Sequence, residues 1–288
     1  MIDELATSDR QLDPICIRPI RAGFGAEIRG VDLSSRIAGV DREVILSAVF
    51  RYKVVIFRNQ RITSLQHAAF AETFGQLYLH PTTERHDDVP TLQRVWPPDE
   101  AKLAKIKAQS GLNQISSGYH ADTSWRLAPA WAGVLRAIDL PPQGGDTIWV
   151  DAERAFQDLS EDLKRRLRSL HVTHDFSHAL RAVGLDYPLV AHPMVHRHPR
   201  TEREILWVNF AARPKIVGLS QDDSRDLLND VLTQYQKLEY QLRLRWTLGT
   251  VVFWDNRATV HIAVRDYGDF PRLLERALIV DEPAYAGL

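Results

Sequence analysis

The tripeptide His120-Ala121-Asp122, answered far along the chain by His261, constrains this sequence more than any other feature. On an extended strand, side chains two apart leave by the same face, so His120 and Asp122 can close on one metal ion while a distant strand brings the third ligand. Two imidazoles and one carboxylate hold one side of an octahedral ion. Three positions stay open, an arrangement that suits Fe(II). An H-x-D tripeptide arises often by chance, so its weight depends on what the rest of the chain supplies.

The chain has 288 residues, 44% of them hydrophobic, enough for a sizeable core, and we read residues 1–288 as a single domain. Lys plus Arg total 36 against 37 for Asp plus Glu, which leaves no basic footprint for nucleic acid or an anionic membrane. Small molecules are the expected partners, and a homo-oligomer is left open. Cys16 is the sole cysteine, which excludes an intrachain disulfide and fits a reducing compartment. Residues Met1 to Arg10 lack an apolar signal core, and no stretch approaches the roughly 20 apolar residues of a membrane helix. A cytoplasmic location is the expectation.

Glycine-punctuated apolar stretches from Ile15 to Leu33 predict strands joined by tight turns. Asp41 to Tyr52 reads as a helix and Val54 to Phe57 as a buried strand. A second helix begins at Thr63, where Thr-Ser-Leu-Gln has capping-box spacing, with Leu65 and Ala69, then Phe70 and Phe74, stacked along it. Weak patterning from His80 to Tyr119 predicts a lid loop around 81–118. Further strands are expected at Trp131 to Ile138, Thr147 to Val150 and Tyr240 to Trp246, with helices carrying Leu159 to Leu170 and opening at Ser220. The class is mainly β with flanking helices.

The last strand, Arg272 to Val280, sets Arg272, Leu274, Arg276 and Leu278 on one face. Turned inward, each guanidinium needs an anion, and a dicarboxylate would supply one through two parallel hydrogen bonds. Turned outward, the strand is an edge whose arginines meet water. Spacing alone leaves both readings open.

His120-x-Asp122, Gly144-Gly145-Asp146-Thr147, Trp254-Asp255-Asn256-Arg257, His261, Arg272 and Arg276 together resemble the taurine dioxygenase (TauD/TfdA) family of iron(II)/2-oxoglutarate-dependent dioxygenases. The resemblance runs from about Ile17 to Pro283. It implies a double-stranded β-helix, or jelly roll, in which His120, Asp122 and His261 bind Fe(II) while Thr147 and Arg272 hold the distal carboxylate of the co-substrate 2-oxoglutarate. Arg276 corresponds to a position that contacts the substrate anion or supports the co-substrate. His80 matches a substrate-gripping histidine, with a backbone-bonded loop histidine as the plainer alternative. Phe176 and Trp207 fall near substrate-pocket positions, although either could be core, as could Trp254.

The same resemblance implies consumption of O2 and 2-oxoglutarate with hydroxylation of a small anionic substrate. A sulfonate or sulfate ester that loses its head group is expected, with an aryloxyalkanoate or specialised metabolite as the alternative. A non-catalytic jelly-roll binding protein and a zinc hydrolase are the rivals of other kinds. Several residues depart from the taurine pattern: Tyr119 precedes the first histidine, Ala121 separates the ligands, and Thr83 and Ser116 stand where larger hydrogen-bonding groups are usual. Taurine itself is therefore not the expected substrate. The His171, His174, His178 and His192, His196, His198 groups lack a companion carboxylate at ligand spacing and read as structural.

Overall fold

The computed structural model describes residues 14–37, 39–96 and 118–281. Strands β1 (Cys16–Arg21) and β2 (Phe24–Arg29) form the expected N-terminal hairpin, and β2 lies parallel to β3 (Val54–Phe57). The sheet continues antiparallel through Val251–Asp255, Ala132–Asp139 and Leu273–Val280, with Gln76–Leu77 and Gln93–Val95 both paired to Leu273–Val280. A second sheet sets Thr147–Asp151 between Gln241–Leu244 and Thr259–Ala263, all antiparallel. Two smaller sheets complete the β structure among the described residues.

The two main sheets face each other. Val54, Ile56, Leu135, Val252, Trp254 and Leu274 of the larger meet Trp149, Leu242, Leu244 and Trp246 of the smaller region in one buried cluster. Period-two alternation produces this interface, because the other side of each strand packs elsewhere. Val55, Phe57, Val134, Phe253, Ala277 and Ile279 cover helices α1 (Gly39–Tyr52) and α2 (Ser64–Glu72). Val150 and Val260 lie with Leu227, Leu228, Val231 and Tyr235, the buried stripe of the long helix Gln221–Tyr235. Gly133 is a requirement of the core: a Cβ there would stand 2.3 Å from the Trp254 ring.

Most expected elements are present, with three differences. The capping box at Thr63 forms as expected, but α2 buries His67, Ala68, Phe70 and Ala71, whereas Leu65 is exposed. Its helical spacing to Ala69 marks the solvent face, because propensity to stack does not say which stripe meets the core. The C-terminal strand is not an edge: Glu275, opposite the arginine face, is 4% exposed and accepts hydrogen bonds from Ser64 and Arg136. Within the lid predicted around 81–118, residues 97–117, including Ser116, lie outside the described residues, while Gln93–Val95 pairs with the C-terminal strand. No helix among the described residues is long and apolar enough to cross a membrane.

Candidate active site

His120 and His261 are joined by a reciprocal pair of backbone hydrogen bonds, 2.9 and 2.8 Å, in an isolated antiparallel bridge against the middle of Thr259–Ala263. This places their rings 4.1 Å apart, centroid to centroid. Asp122 reaches them differently from the sequence expectation. The extended backbone ends after His120, and Asp122 opens a turn whose next residue, Thr123, has φ +54°. Convergence therefore depends on a third partner. Asn256 accepts the Asp122 backbone N–H at 2.8 Å and donates to the Asp122 carbonyl at 2.9 Å and the Ala130 carbonyl at 2.8 Å. Asn209 holds the neighbouring Ala121 carbonyl at 3.1 Å. One ligand atom from each of His120, Asp122 and His261 then lies within 4.8 Å of the others.

Their chemistry fits a divalent metal. The His120 Nδ1–H donates to the Gly118 carbonyl at 2.8 Å, which orients the ring and assigns Nε2 as the nitrogen that would meet a metal. Burial, reinforced by neighbouring His120, drives His261 well below the ordinary imidazole pKa, so it is neutral at pH 7. Burial alone would raise the Asp122 carboxyl, but the Arg276 guanidinium and the surrounding histidines outweigh it and hold the group below its ordinary value. Its Oδ2 is buried with no hydrogen-bond partner among the described residues, a vacant acceptor that a cation would satisfy. Trp149 and Trp254 pack 6.0 and 5.3 Å from the His261 ring and close its far side. Trp254, 0% exposed, is thus both core and site wall.

Arg272 is buried at 3% exposure, and no carboxylate lies within ion-pair distance of it among the described residues. Its Nε donates to the Gly145 carbonyl at 2.8 Å and its Nη2 to Thr147 Oγ1 at 3.3 Å. Trp246 Nε1–H also donates to Thr147 Oγ1, at 2.9 Å. Both hydroxyl lone pairs are thereby used, and the Thr147 O–H is left to donate outward. Gly145 makes the close approach feasible: with φ +74°, a Cβ there would sit 3.1 Å from Arg272 Cδ. Burial lowers the Arg272 pKa, the cost of a guanidinium waiting for an anion.

Residues 16–278 match the family model "Taurine catabolism dioxygenase TauD, TfdA family". The chain belongs to the TauD/TfdA family of 2-oxoglutarate-dependent dioxygenases. It is 31% identical to an alpha-ketoglutarate-dependent sulfate ester dioxygenase of Pseudomonas putida, over 96% of this chain and 93% of that protein. An alpha-ketoglutarate-dependent 2,4-dichlorophenoxyacetate dioxygenase of Cupriavidus pinatubonensis is 27% identical, over 93% and 98%. Among solved structures, a putative alpha-ketoglutarate-dependent taurine dioxygenase from Burkholderia xenovorans superposes with a TM-score of 0.80 at 32% identity, covering 93% of each chain. The mixed α/β architecture of several sheets is the one these relatives share.

Within this family member, the remaining predicted residues fall into two groups. His80 is 6% exposed, and its ring stands edge-on to Phe176 at 6.1 Å and to Trp125 at 6.4 Å. Thr82 N–H donates to His80 Nδ1 at 3.3 Å, and Thr83 Oγ1 lies 3.0 Å from the same atom. A backbone N–H can only donate, so Nδ1 is an acceptor and Nε2 carries the proton. Burial first, then Arg276, lowers the His80 pKa to about 4, so the ring is neutral at pH 7. Thr83, a departure from the taurine pattern, thus supports the tautomer of His80.

Trp207 has different surroundings. Its ring contacts His174, His192 and His196 at 5.3 to 5.5 Å, and its Nε1–H donates to the Asn256 carbonyl at 3.4 Å. It packs against Asn256, the residue that holds Asp122, and its ring contacts among the described residues are with these histidines. Of the other histidines, His198 does have a carboxylate partner, Asp255 at 2.8 Å with both 1% exposed, which spacing along the chain concealed. Both are structural, and His120, Asp122 and His261 are the group among the described residues that could hold a metal ion.

Sequence reasoning missed Gln93. It is 1% exposed and its Oε1 accepts from Arg276 Nε at 3.0 Å and Nη2 at 2.7 Å, while Arg276 Nη1 donates to Asp122 Oδ1 at 2.6 Å. Three of five guanidinium donors are engaged, leaving one N–H on each terminal nitrogen. A glutamine at the start of a short strand carries no signal until the pairing of Gln93 with Arg276 is known.

Proposed function

We propose that this chain is a single-domain iron(II)/2-oxoglutarate-dependent oxygenase on a double-stranded β-helix, acting on a sulfate ester or sulfonate by hydroxylating the carbon that bears the head group. His120, Asp122 and His261 would hold the iron. When bound, it supplies the chemistry that couples oxidative decarboxylation of 2-oxoglutarate to C–H hydroxylation. Arg272 and Thr147 would grip the far carboxylate of the co-substrate with the guanidinium and the outward O–H, giving it one orientation. The two facing, mainly antiparallel sheets, with helices outside both, support the jelly-roll reading.

The observation that carries the substrate assignment is the donor pair His80 and Arg276. A neutral Nε2–H on His80 and two remaining guanidinium N–H groups on Arg276 supply hydrogen-bond donors for an anionic head group. Hydroxylation beside the ester oxygen or sulfur yields an unstable adduct that collapses to a carbonyl and expels sulfate or sulfite. The Pseudomonas putida relative, named for sulfate esters, supports the same class.

A second reading, an aryloxyalkanoate oxygenase, is favoured by the stacked rings of Trp125 and Phe176, 5.7 Å apart at 10°, and by the 2,4-dichlorophenoxyacetate relative. The test offers the Fe(II)-loaded protein alkyl sulfates, alkyl sulfonates, taurine and phenoxyacetates under air with 2-oxoglutarate. Sulfate or sulfite released one-to-one with succinate, and lost in His80→Ala, is the expected result. Phenol release without either anion favours the second reading. Best turnover of taurine, or a silent His80→Ala, overturns the head-group assignment.

A further inference from the structure

Backbone pairing fixes Gln93 from both sides. Gln93–Val95 pairs with the C-terminal strand and sets Gln93 opposite Arg276, while Arg85 bridges its other edge. Arg94 N–H donates to the Glu84 carbonyl at 2.8 Å and His86 N–H to the Leu92 carbonyl at 2.9 Å, which fastens that second edge. The orientation of the Gln93 amide follows from chemistry. A guanidinium has only donors, so the amide oxygen must face Arg276 and the nitrogen must face away. That nitrogen, Nε2, is buried without a hydrogen-bond partner among the described residues. An unsatisfied buried donor costs stability, and an apolar side chain would avoid it. The glutamine is therefore kept for what its oxygen does.

Gln93 Oε1 takes Nε and Nη2, one whole edge of the Arg276 guanidinium. Held along that edge, Arg276 meets Asp122 through Nη1 and Oδ1 alone, and Asp122 Oδ2 is left without a partner among the described residues. An arginine and a carboxylate with nothing to restrain them frequently close a fork of two parallel hydrogen bonds that uses both oxygens. Asp122 could not withdraw from such a fork, because Asn256 pins its backbone at both the N–H and the carbonyl. The fork would compete with a metal for both carboxylate oxygens.

We infer that Gln93 is a positioning residue for the metal site: by holding one edge of Arg276 it keeps the Arg276–Asp122 pair single-pronged and reserves Oδ2 for the metal. Its own hydrogen bonds go to Arg276, and it acts on Asp122 only through that side chain. The inference rests on the metal reading of His120, Asp122 and His261, and one arm of the experiment is independent of that reading.

Calorimetry with the full chain and Co(II), without co-substrate, measures metal binding apart from activity. Gln93→Leu is expected to lower Co(II) affinity roughly 10- to 100-fold, the range for residues that hold a metal ligand in place, while Tm is kept or raised because the unsatisfied amide is gone. Gln93→Glu keeps the acceptor and the hold on Arg276, so its affinity stays at or above that of the wild type. With Arg276→Leu as the background there is no guanidinium to close a fork, and Gln93→Leu costs nothing further. Wild-type affinity in Gln93→Leu overturns the proposal. So does an affinity in Gln93→Glu as low as that in Gln93→Leu, or the same loss in the Arg276→Leu background. Should Gln93→Leu fail to fold, Gln93→Met, unbranched and without an amide, replaces it. A crystal structure of the metal-free variant tests the pose itself: Arg276 bonded to both Asp122 oxygens sustains the proposal, and Arg276 still on Oδ1 alone overturns it. If the wild type binds no Co(II), the metal reading fails, and the same crystal structure still decides whether Gln93 keeps the fork open.

Discussion

Asn256 holds Asp122 by its backbone and not by its carboxylate: Asn256 Oδ1 takes the Asp122 N–H at 2.8 Å and Nδ2 returns to the Asp122 carbonyl at 2.9 Å. The carboxylate is thus left to Arg276 and to the metal this group could hold, while its backbone position is set by the residue that follows Val251–Asp255. This separates placing a ligand from being one.

Replacing Asn256 by Ala strands two buried backbone groups of Asp122 and one of Ala130. Each orphaned group costs about 1 to 3 kcal/mol. The expected outcome is a lowered Tm together with weaker Fe(II) binding, because the turn at Thr123 loses its anchor. Thermal melts with and without metal check it: an unchanged melt with unchanged metal affinity would show that the turn holds itself.

Each of His120→Ala, Asp122→Ala and His261→Ala is expected to abolish Fe(II)-dependent succinate formation. Two remaining ligands bind too weakly and too loosely to organise the co-substrate. The melts should diverge by residue. His120 is partly exposed and Asp122 buried against Arg276, so Asp122→Ala leaves a largely buried cation without its carboxylate partner and is the most destabilising of the three. Equal melts for all three would refute the buried-pair argument.

The meeting of His120, Asp122 and His261, the nearness of Arg272 to Thr147 and nearly all core strands were legible in the sequence, for a common reason. Alternation in Tyr240–Trp246 and the strict order of the motifs are local signals, and the structure buries Tyr240, Leu242, Leu244 and Trp246 as that alternation requires. What stayed hidden depended on pairing across the fold. Gln93 gains its role only once it lies opposite Arg276, and Asp255 only once His198 packs on it. Leu65 misled because helical spacing identifies a stripe without saying which side faces the sheet. The αL turn at Thr123 had no sequence signal, since threonine is a residue that disfavours it.

Stability is expected to fall on mild acidification through histidines unrelated to the metal. Burial lowers the His174 pKa to about 3 and the His196 pKa to about 4. The unfolded chain takes up these protons near its ordinary value of about 6.5, so the folded state has its full advantage above that pH and loses it progressively as pH falls toward 3. His174 Nε2 accepts the Asn209 N–H at 3.0 Å, an acceptor role that protonation removes. Denaturant midpoints between pH 7 and pH 4.5 should drop, with His174→Gln flattening the slope by on the order of 1 to 3 kcal/mol. A slope that His174→Gln leaves untouched would assign the acid sensitivity elsewhere.

Arg272 and Thr147 are expected to act as one grip on 2-oxoglutarate. The guanidinium is buried without a carboxylate partner, so Arg272→Ala removes the desolvated half of a charge pair and should raise the 2-oxoglutarate KM by the equivalent of about 2 to 5 kcal/mol. Arg272→Lys recovers only part, because an ammonium cannot donate to the Gly145 carbonyl and Thr147 and still present a planar fork. Thr147→Val keeps the shape but deletes the O–H that the two donors, Arg272 and Trp246, orient outward. Since Trp246 Nε1–H then also loses its acceptor in a buried site, Thr147→Val should weaken 2-oxoglutarate binding and lower Tm together, whereas Thr147→Ser should restore both. In the double variant Arg272→Ala, Thr147→Val, the loss in 2-oxoglutarate binding should be smaller than the sum of the single losses, as for groups that hold one anion. Strict additivity would mean that the two residues serve different ligands, and the co-substrate assignment would then rest on Arg272 alone.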